Sequence, residues 1–107
     1  MIGLFKPLIS DSAKAAVAEV LESGWIGQGP KTEAFEKAFA EYVGSPYAVA
    51  TNSATSALHL ATVCLGLGPG DEILTTPMTF VSTNHAIMYQ GATPVFVDVE
   101  PNTLNLD

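Results

Sequence analysis

The chain has 107 residues, of which 48% are hydrophobic and only 14% are charged, and its formal net charge is −7. All four basic residues are lysines and the last is Lys37, so the sequence lacks the basic patch that nucleic-acid binding requires. One cysteine excludes an internal disulfide, and no apolar run approaches the roughly 18 residues of a membrane span. The start, MIGLFKPLIS, lacks the long apolar core of a signal peptide, so a cytoplasmic protein is expected.

The charged share is low for a chain of this length, because about a quarter of the residues of a soluble domain are usually charged. A small domain has a large surface for its volume, and an exposed apolar patch on that surface favours association. The composition therefore predicts that part of the surface is covered, either by more of the same chain or by a partner subunit.

The first half of the sequence predicts an extended arm followed by two helices. Residues 1–9 show no helical period and are predicted to be extended. Ser10 or Asp11 can cap a helix over residues 11–23, and a second helix is predicted over residues 31–43. The segment between them, GWIGQGPK, contains three glycines and a proline and is predicted to be a loop.

After Pro46 the pattern changes to short apolar runs separated by helices. Strands are predicted at 47–51, 72–76 and 94–99, with helices over 53–65 and 79–90. The order β-α-β-α-β predicts parallel strands joined by right-handed crossovers, and the continuous apolar runs predict a sheet covered on both faces. We therefore predict an α/β fold with mainly parallel strands after two helices. Because nothing here covers the outer strands, the sheet is expected to continue in further sequence, or the chain is a fragment.

The stretch TNSATSALH, residues 51–59, lies where the first predicted strand ends and a helix begins. Ligands of parallel sheets bind beyond the carboxyl ends of the strands, and a helix N-terminus there offers unpaired N–H groups and the positive end of its dipole. Ser53, Thr55 and Ser56 add hydroxyl donors, so a phosphate could be held without lysine or arginine. The alternative is that Asn52 or Ser53 only caps the helix and the other hydroxyls are solvated. The pattern alone does not decide between the two.

The second junction between a strand and a helix is TTPMTF, residues 75–80. Thr79 is predicted to cap the helix that follows. Phe80 would lie near a ligand held at residues 53–56 and could stack on a flat ring, although a phenylalanine is more often part of the core. The glycine-rich loops GWIGQGPK, residues 24–31, and GLGPG, residues 66–70, each follow a predicted helix and not a strand, so neither predicts a dinucleotide site. Neither histidine has a partner at the spacing of a metal site.

Four segments together resemble the start of the DegT/DnrJ/EryC1/StrS family of pyridoxal-phosphate-dependent sugar aminotransferases, which have fold type I. The segments are SGWIGQGPKTEAFEKAFAEYVG, YAVATNSATSALHLA, GLGPGDEILTTPMTFVSTNHAI and GATPVFVDVEPNTLNLD. Their order and spacing resemble those of the family over nearly the whole chain. The resemblance implies the N-terminal part of the enzyme's large domain, with the arm, two helices and glycine loop in residues 1–45 and the start of the α/β sheet in residues 46–107.

The resemblance also implies a function and a set of site residues. Members transfer an amino group, usually from glutamate, to a keto-sugar carried on a nucleotide, for polysaccharide, lipopolysaccharide or antibiotic synthesis, and most are homodimers. The residues matching Thr55 and Ser56 hold the phosphate of pyridoxal 5'-phosphate, and the aromatic ring matching Phe80 stacks on its pyridine ring. Ser53 is added to the predicted cofactor site because it begins the same helix.

The parts of the family's active site that do the chemistry are implied to lie beyond residue 107. These are the Schiff-base lysine and the acid that pairs with the pyridine nitrogen; none of the four lysines here matches the former. The chain alone is therefore expected to be inactive. Members with histidine in place of the lysine are dehydratases, so the remaining sequence would decide between the two reactions. Two alternatives stay open: a truncated module that at most pairs with a full-length subunit, and a stand-alone binder of a phosphate-bearing ligand.

Overall fold

The computed structural model describes residues 5–107, which separate into two units, one up to Ala50 and one from Thr51 to Asp107. The predicted arm lies partly outside the described residues, and residues 5–10 form neither helix nor strand. None of the helices described is long and apolar enough to cross a membrane. In chain order, the elements are α1 (Asp11–Ser23), α2 (Pro30–Val43), α3 (Ala54–Cys64), β1 (Glu72–Thr75), α4 (Ser82–Met88) and β2 (Thr93–Phe96).

Helix α1 begins and ends where the sequence predicts. The Oγ of Ser10 accepts a hydrogen bond from the N–H of Ala13 at 3.1 Å and so satisfies one of the free donors of the first turn. Gly24 ends the helix in the left-handed conformation, with φ 70°, which glycine adopts without the steric penalty of a Cβ. Both ends are therefore set by residues next to the helix.

Helix α2 is also close to its prediction and begins one residue earlier, at Pro30. Proline suits the first turn because the N–H that it lacks would have had no partner within the helix. Gly44 ends the helix with φ 71°. From the middle of α2, the Oε1 of Glu36 accepts a hydrogen bond from the N–H of Ala50 at 2.7 Å, which ties the segment after the helix back to it.

The strand predicted at residues 47–51 is not formed within residues 5–107. A strand requires a neighbouring strand to pair its backbone groups, and the N–H of Ala50 instead donates to a side chain. Tyr47 and Val49 are 83% and 76% exposed. The apolar, β-branched composition marks a segment suited to a sheet, but composition does not supply the pairing partner.

Strands β1 and β2 form a parallel pair, as predicted, in which Glu72 lies opposite Thr93 and Thr75 lies opposite Phe96. Both strands are shorter than predicted, and beyond β2 the chain forms an isolated antiparallel bridge between Val99 and Leu106. The core of this unit contains Ala86, Ile87 and Ala92. Helix α4 packs between β2 and α3, where the Oγ1 of Thr62 donates to the carbonyl oxygen of Ala86 at 3.2 Å.

The prediction that both faces of the sheet are covered is not met by residues 5–107. Leu74 in β1 and Phe96 in β2 are 64% and 56% exposed. Neither α1 nor α3 contains a buried residue. The described residues therefore leave much of their apolar surface in contact with solvent.

Helix α4 begins later than predicted, at Ser82, and Thr79 is not its N-cap. Val81 occupies the cap position without a side-chain hydrogen bond. The first N–H groups are satisfied by tight bonds between residues three apart, from Thr83 to the carbonyl of Phe80 and from Asn84 to that of Val81, each 3.1 Å long. The hydroxyl of Thr79 lies 3.3 Å from that of Thr83. Backbone bonds of a tight turn, and not the side chain of Thr79, therefore satisfy the N–H groups of Thr83 and Asn84.

The C-terminal turn is organised by the carboxylate of Glu100. Its Oε1 accepts hydrogen bonds from the backbone N–H and the Nδ2 of Asn102 at 3.0 and 2.7 Å, and its Oε2 accepts one from the N–H of Thr103 at 2.7 Å. These donors favour the charged form, the backbone N–H of Asn102 most of all, and they lower the pKa of Glu100 from 4.5 to about 2.

We expect this turn to lose its carboxylate hydrogen bonds only in strong acid. Because folding lowers the pKa, the stabilisation by Glu100 is fully present above pH 4.5 and is lost as the pH falls towards about 2. The NMR shifts of the Asn102 and Thr103 amide protons should titrate with a midpoint near pH 2. Glu100→Gln cannot titrate and should abolish that transition. A midpoint near pH 4.5 in the unaltered chain would contradict the expectation.

Candidate functional site

The start of α3 gathers the hydroxyl and amide side chains that the sequence analysis singled out. Ser53 is the N-cap: its Oγ accepts a hydrogen bond from the N–H of Ser56 at 3.2 Å and lies 3.0 Å from the Oγ of Ser56. The Oγ of Ser56 donates to the Oδ1 of Asn52 at 2.7 Å. Of the two caps considered, Ser53 is therefore the one used, and Asn52 lies beside it as an acceptor for the neighbouring hydroxyl.

Within residues 5–107, two backbone donors at this helix start have no hydrogen-bond partner. The N–H of Ala57 donates to the carbonyl of Ser53 at 3.1 Å, and that of Ser56 donates to the Ser53 hydroxyl. Among the described residues, the N–H groups of Ala54 and Thr55 have no hydrogen-bond partner. Unpaired N–H groups at a helix start carry the positive end of its dipole, which favours a bound anion.

An anion bound in this unit would have to be held by neutral donors, because the unit has no lysine or arginine. The charged side chains from Thr51 onward are all acidic: Asp71, Glu72, Asp98, Glu100 and Asp107. A phosphate at the start of α3 would therefore depend on N–H groups, hydroxyls and the helix dipole. The oxygens of a bound phosphate would accept hydrogen bonds from these donors, and the unpaired N–H groups at the helix start would then have a partner.

Phe80 lies in the segment that joins β1 to α4, and its side chain is 75% exposed. Phe80 is therefore not part of the core, which is the more common location of a phenylalanine. The ring is accessible to a ligand. The structure brings Ser53, Thr55 and Ser56 together at the start of α3, whereas Phe80 belongs to the segment between β1 and α4.

A buried polar pair next to Phe80 was missed by the sequence analysis. Thr75, at the end of β1, donates a hydrogen bond from Oγ1 to the Oδ1 of Asn84 at 2.7 Å, and both side chains are buried. Ser82 is buried as well. A polar residue on the inner face of a short helix has the same sequence signal as a solvated one, because only its partner across the fold distinguishes the two.

In the unit that ends at Ala50, the glycine loop folds around Trp25. The indole Nε1 donates a hydrogen bond to the carbonyl oxygen of Gln28 at 2.8 Å, and the ring lies against Gly29. Beside the loop is an open pocket of about 320 Å³. Across it, the Nζ of Lys31 lies 2.8 Å from the Oε2 of Glu19, and this hydrogen bond holds the pKa of Glu19 below its usual value.

The chain is similar to known proteins along almost its whole length. The model of the DegT/DnrJ/EryC1/StrS aminotransferase family matches residues 7–107. The spore coat polysaccharide biosynthesis protein SpsC of Bacillus subtilis is 54% identical over 101 residues, which are 94% of this chain and 26% of SpsC.

Solved structures of aminotransferases share the fold. The sugar aminotransferase Spr1654 of Streptococcus pneumoniae, in its PLP-form, superposes with a TM-score of 0.90 at 40% identity over 99% of this chain and 27% of its own. NtdA of Bacillus subtilis, with the bound cofactor PMP, has a TM-score of 0.80 at 36% identity over 88% of this chain and 22% of its own. The chain thus spans about a quarter of the length of these relatives.

Proposed function

The chain belongs to the DegT/DnrJ/EryC1/StrS aminotransferase family, and on this premise we propose that the whole protein transfers an amino group to a nucleotide-linked keto-sugar. The similarity to a spore coat polysaccharide biosynthesis protein supports a role in making amino sugars for a polysaccharide. From the family resemblance, the amino donor is glutamate, the enzyme is a cytoplasmic homodimer, and residues 1–107 are the N-terminal part of its large domain.

The cofactor that we propose is pyridoxal 5'-phosphate, supported by the PLP-form and PMP-bound relatives. When bound, it supplies an electron sink for the amino transfer. The start of α3 carries the proposal for this chain, because hydroxyls meet there with N–H groups that have no partner among the described residues, in a unit without lysine or arginine. Thr55 and Ser56 hold the cofactor's phosphate with Ser53 beside them, and the exposed ring of Phe80 covers one face of the pyridine ring.

The lysine that binds the cofactor covalently is proposed to lie in the remainder of the whole protein. All four lysines of this chain precede Ala50, whereas the proposed phosphate site lies after it. The side chains of Lys14 and Lys31 are already paired with Asp11 and Glu19. Residues 1–107 then contribute binding and orientation of the cofactor and are inactive by themselves.

Borohydride reduction tests this function. Reducing the whole protein in the presence of pyridoxal phosphate should attach the cofactor permanently to one lysine beyond residue 107, which peptide mass spectrometry locates. The 107-residue chain treated in the same way is the control and should show no selective attachment. Tight binding without covalent attachment would favour the dehydratase branch over an aminotransferase, and selective attachment to Lys6, Lys14, Lys31 or Lys37 would contradict the division of roles.

A further inference from the structure

A buried pair of polar side chains joins the end of β1 to the first turn of α4. Thr75 is 5% exposed and Asn84 is 9% exposed, and the Thr75 Oγ1 donates to the Asn84 Oδ1 at 2.7 Å. The Asn84 Nδ2 donates to the carbonyl oxygen of Thr76 at a longer 3.4 Å. The amide of Asn84 can make both bonds, because its oxygen accepts from Thr75 and its nitrogen donates to the carbonyl of Thr76.

Each partner is itself held by regular secondary structure. The carbonyl of Thr75 accepts a hydrogen bond from the N–H of Val97 at 2.8 Å, which continues the parallel pairing of the sheet. The N–H of Asn84 donates to the carbonyl of Val81 at 3.1 Å in the first turn of α4. The side-chain bond therefore closes residues 76–83 into a loop with two fixed ends.

This closed loop carries Phe80 on its outer side. Within it, the N–H of Met78 donates to the Oγ1 of Thr76 at 3.0 Å, and the N–H of Thr83 donates to the carbonyl of Phe80 at 3.1 Å. The Phe80 side chain is 75% exposed, whereas the nearby Ser82 is 8% exposed. Since the ring is so exposed, the backbone of the loop sets its position.

We propose that Thr75 and Asn84 are positioning residues that hold the Phe80 ring where it stacks on the cofactor's pyridine ring. The inference rests on the proposed function, in which Phe80 stacks on that ring. Breaking the pair removes the side-chain bond that joins the two ends of residues 76–83, so these residues gain freedom that binding must then restrict, which weakens affinity. The loss corresponds to one net buried hydrogen bond, so we expect cofactor affinity to fall about fivefold to tenfold.

Four single variants of the whole protein and one double variant test the inference. Thr75→Val removes the hydroxyl and keeps the shape, Thr75→Ser keeps the hydroxyl, Asn84→Leu removes the amide, and Phe80→Leu removes the aromatic ring. For each, the dissociation constant of pyridoxal phosphate, the induced circular dichroism of the bound cofactor and the melting temperature are measured. Thr75→Val and Asn84→Leu should each weaken cofactor binding and reduce the induced circular dichroism. Their combination should be no worse than Asn84→Leu alone, because that variant already removes the bond to Thr75 together with the longer bond to the Thr76 carbonyl, and Thr75→Ser should match the unaltered protein.

The outcomes separate the inference from the function on which it rests. If Thr75→Val lowers only the melting temperature and leaves the affinity and dichroism unchanged, or if it fails to fold while Thr75→Ser folds, the pair is merely a core contact and the inference is overturned. If Phe80→Leu leaves both binding measurements unchanged, the stacking role in the proposed function fails, and the positioning role fails with it.

Discussion

Replacing Thr55 by alanine should weaken the binding of pyridoxal phosphate to the whole protein by about tenfold to a hundredfold, the effect of losing one hydrogen bond to a charged group. The start of α3 has no lysine or arginine in its unit, so each neutral donor carries a large share of the phosphate's stabilisation. In the proposed site, Thr55 would contribute its hydroxyl beside its own backbone N–H, which has no partner within residues 5–107. Isothermal titration with the cofactor, and competition by inorganic phosphate, measure the loss.

The replacement separates binding from helix stability. Alanine has a higher helix propensity than threonine, so α3 should not weaken and any loss of affinity must come from the hydroxyl. Thr55→Ser, which retains a hydroxyl, is the matched control and should bind within a few fold of the unaltered protein. Thr55→Val keeps the shape without the hydroxyl and should behave like the alanine variant. Unchanged affinity in the alanine variant would remove Thr55 from the phosphate site.

Replacing Gly29 by alanine should displace the indole ring of Trp25 from the glycine loop. A Cβ at Gly29 would overlap the Nε1 and Cδ1 of Trp25 and would approach its Cε2 to 2.9 Å. The backbone at Gly29, with φ −168°, is extended and open to any residue, so the overlap alone decides the outcome. Trp25 is 60% exposed and can swing outward, which breaks its hydrogen bond to the carbonyl of Gln28.

The single tryptophan of the 107-residue chain reports this movement directly. In the Gly29→Ala variant we expect fluorescence emission shifted to longer wavelength and stronger quenching by acrylamide. The expected loss in stability is about 1 kcal/mol, the net worth of one hydrogen bond. Gly27→Ala is the control in the same loop, since an added Cβ there meets no atom within 4 Å. Equal spectra for the two variants would show that Gly29 is not constrained by Trp25.

Helix ends were predictable because their chemistry is local. Ser10 and Ser53 each accept a hydrogen bond from the residue three positions further on, and Gly24 and Gly44 end their helices with positive φ. Each of these interactions spans at most a few residues. The hydroxyls at the start of α3 follow from the same local rule, and the ordered series of four segments was sufficient to indicate the family.

The sequence named candidate residues for the cofactor site but not the interactions that support them. The resemblance pointed to Phe80, and the structure adds that its ring is exposed on a loop closed by Thr75 and Asn84. That pair joins residues nine positions apart on a strand and a helix, beyond the reach of a local pattern. At Thr79 the local pattern was misleading. Threonine is a good capping residue, but α4 begins with a tight turn at Phe80 and Val81 instead.

By itself, the sequence of this protein determined its helices, the ends of α1 and α2, the parallel order of β1 and β2 and the hydroxyl-rich start of α3, because these depend on neighbouring residues and on the alternation of apolar runs. Only the tertiary structure decided which extended segments are strands. Residues 47–51 have the composition of a strand, yet the N–H of Ala50 bonds to Glu36, and within residues 5–107 this segment is not paired as a strand. The physical reason is that a strand is completed by hydrogen bonds to another strand, and that partner's position is a property of the fold.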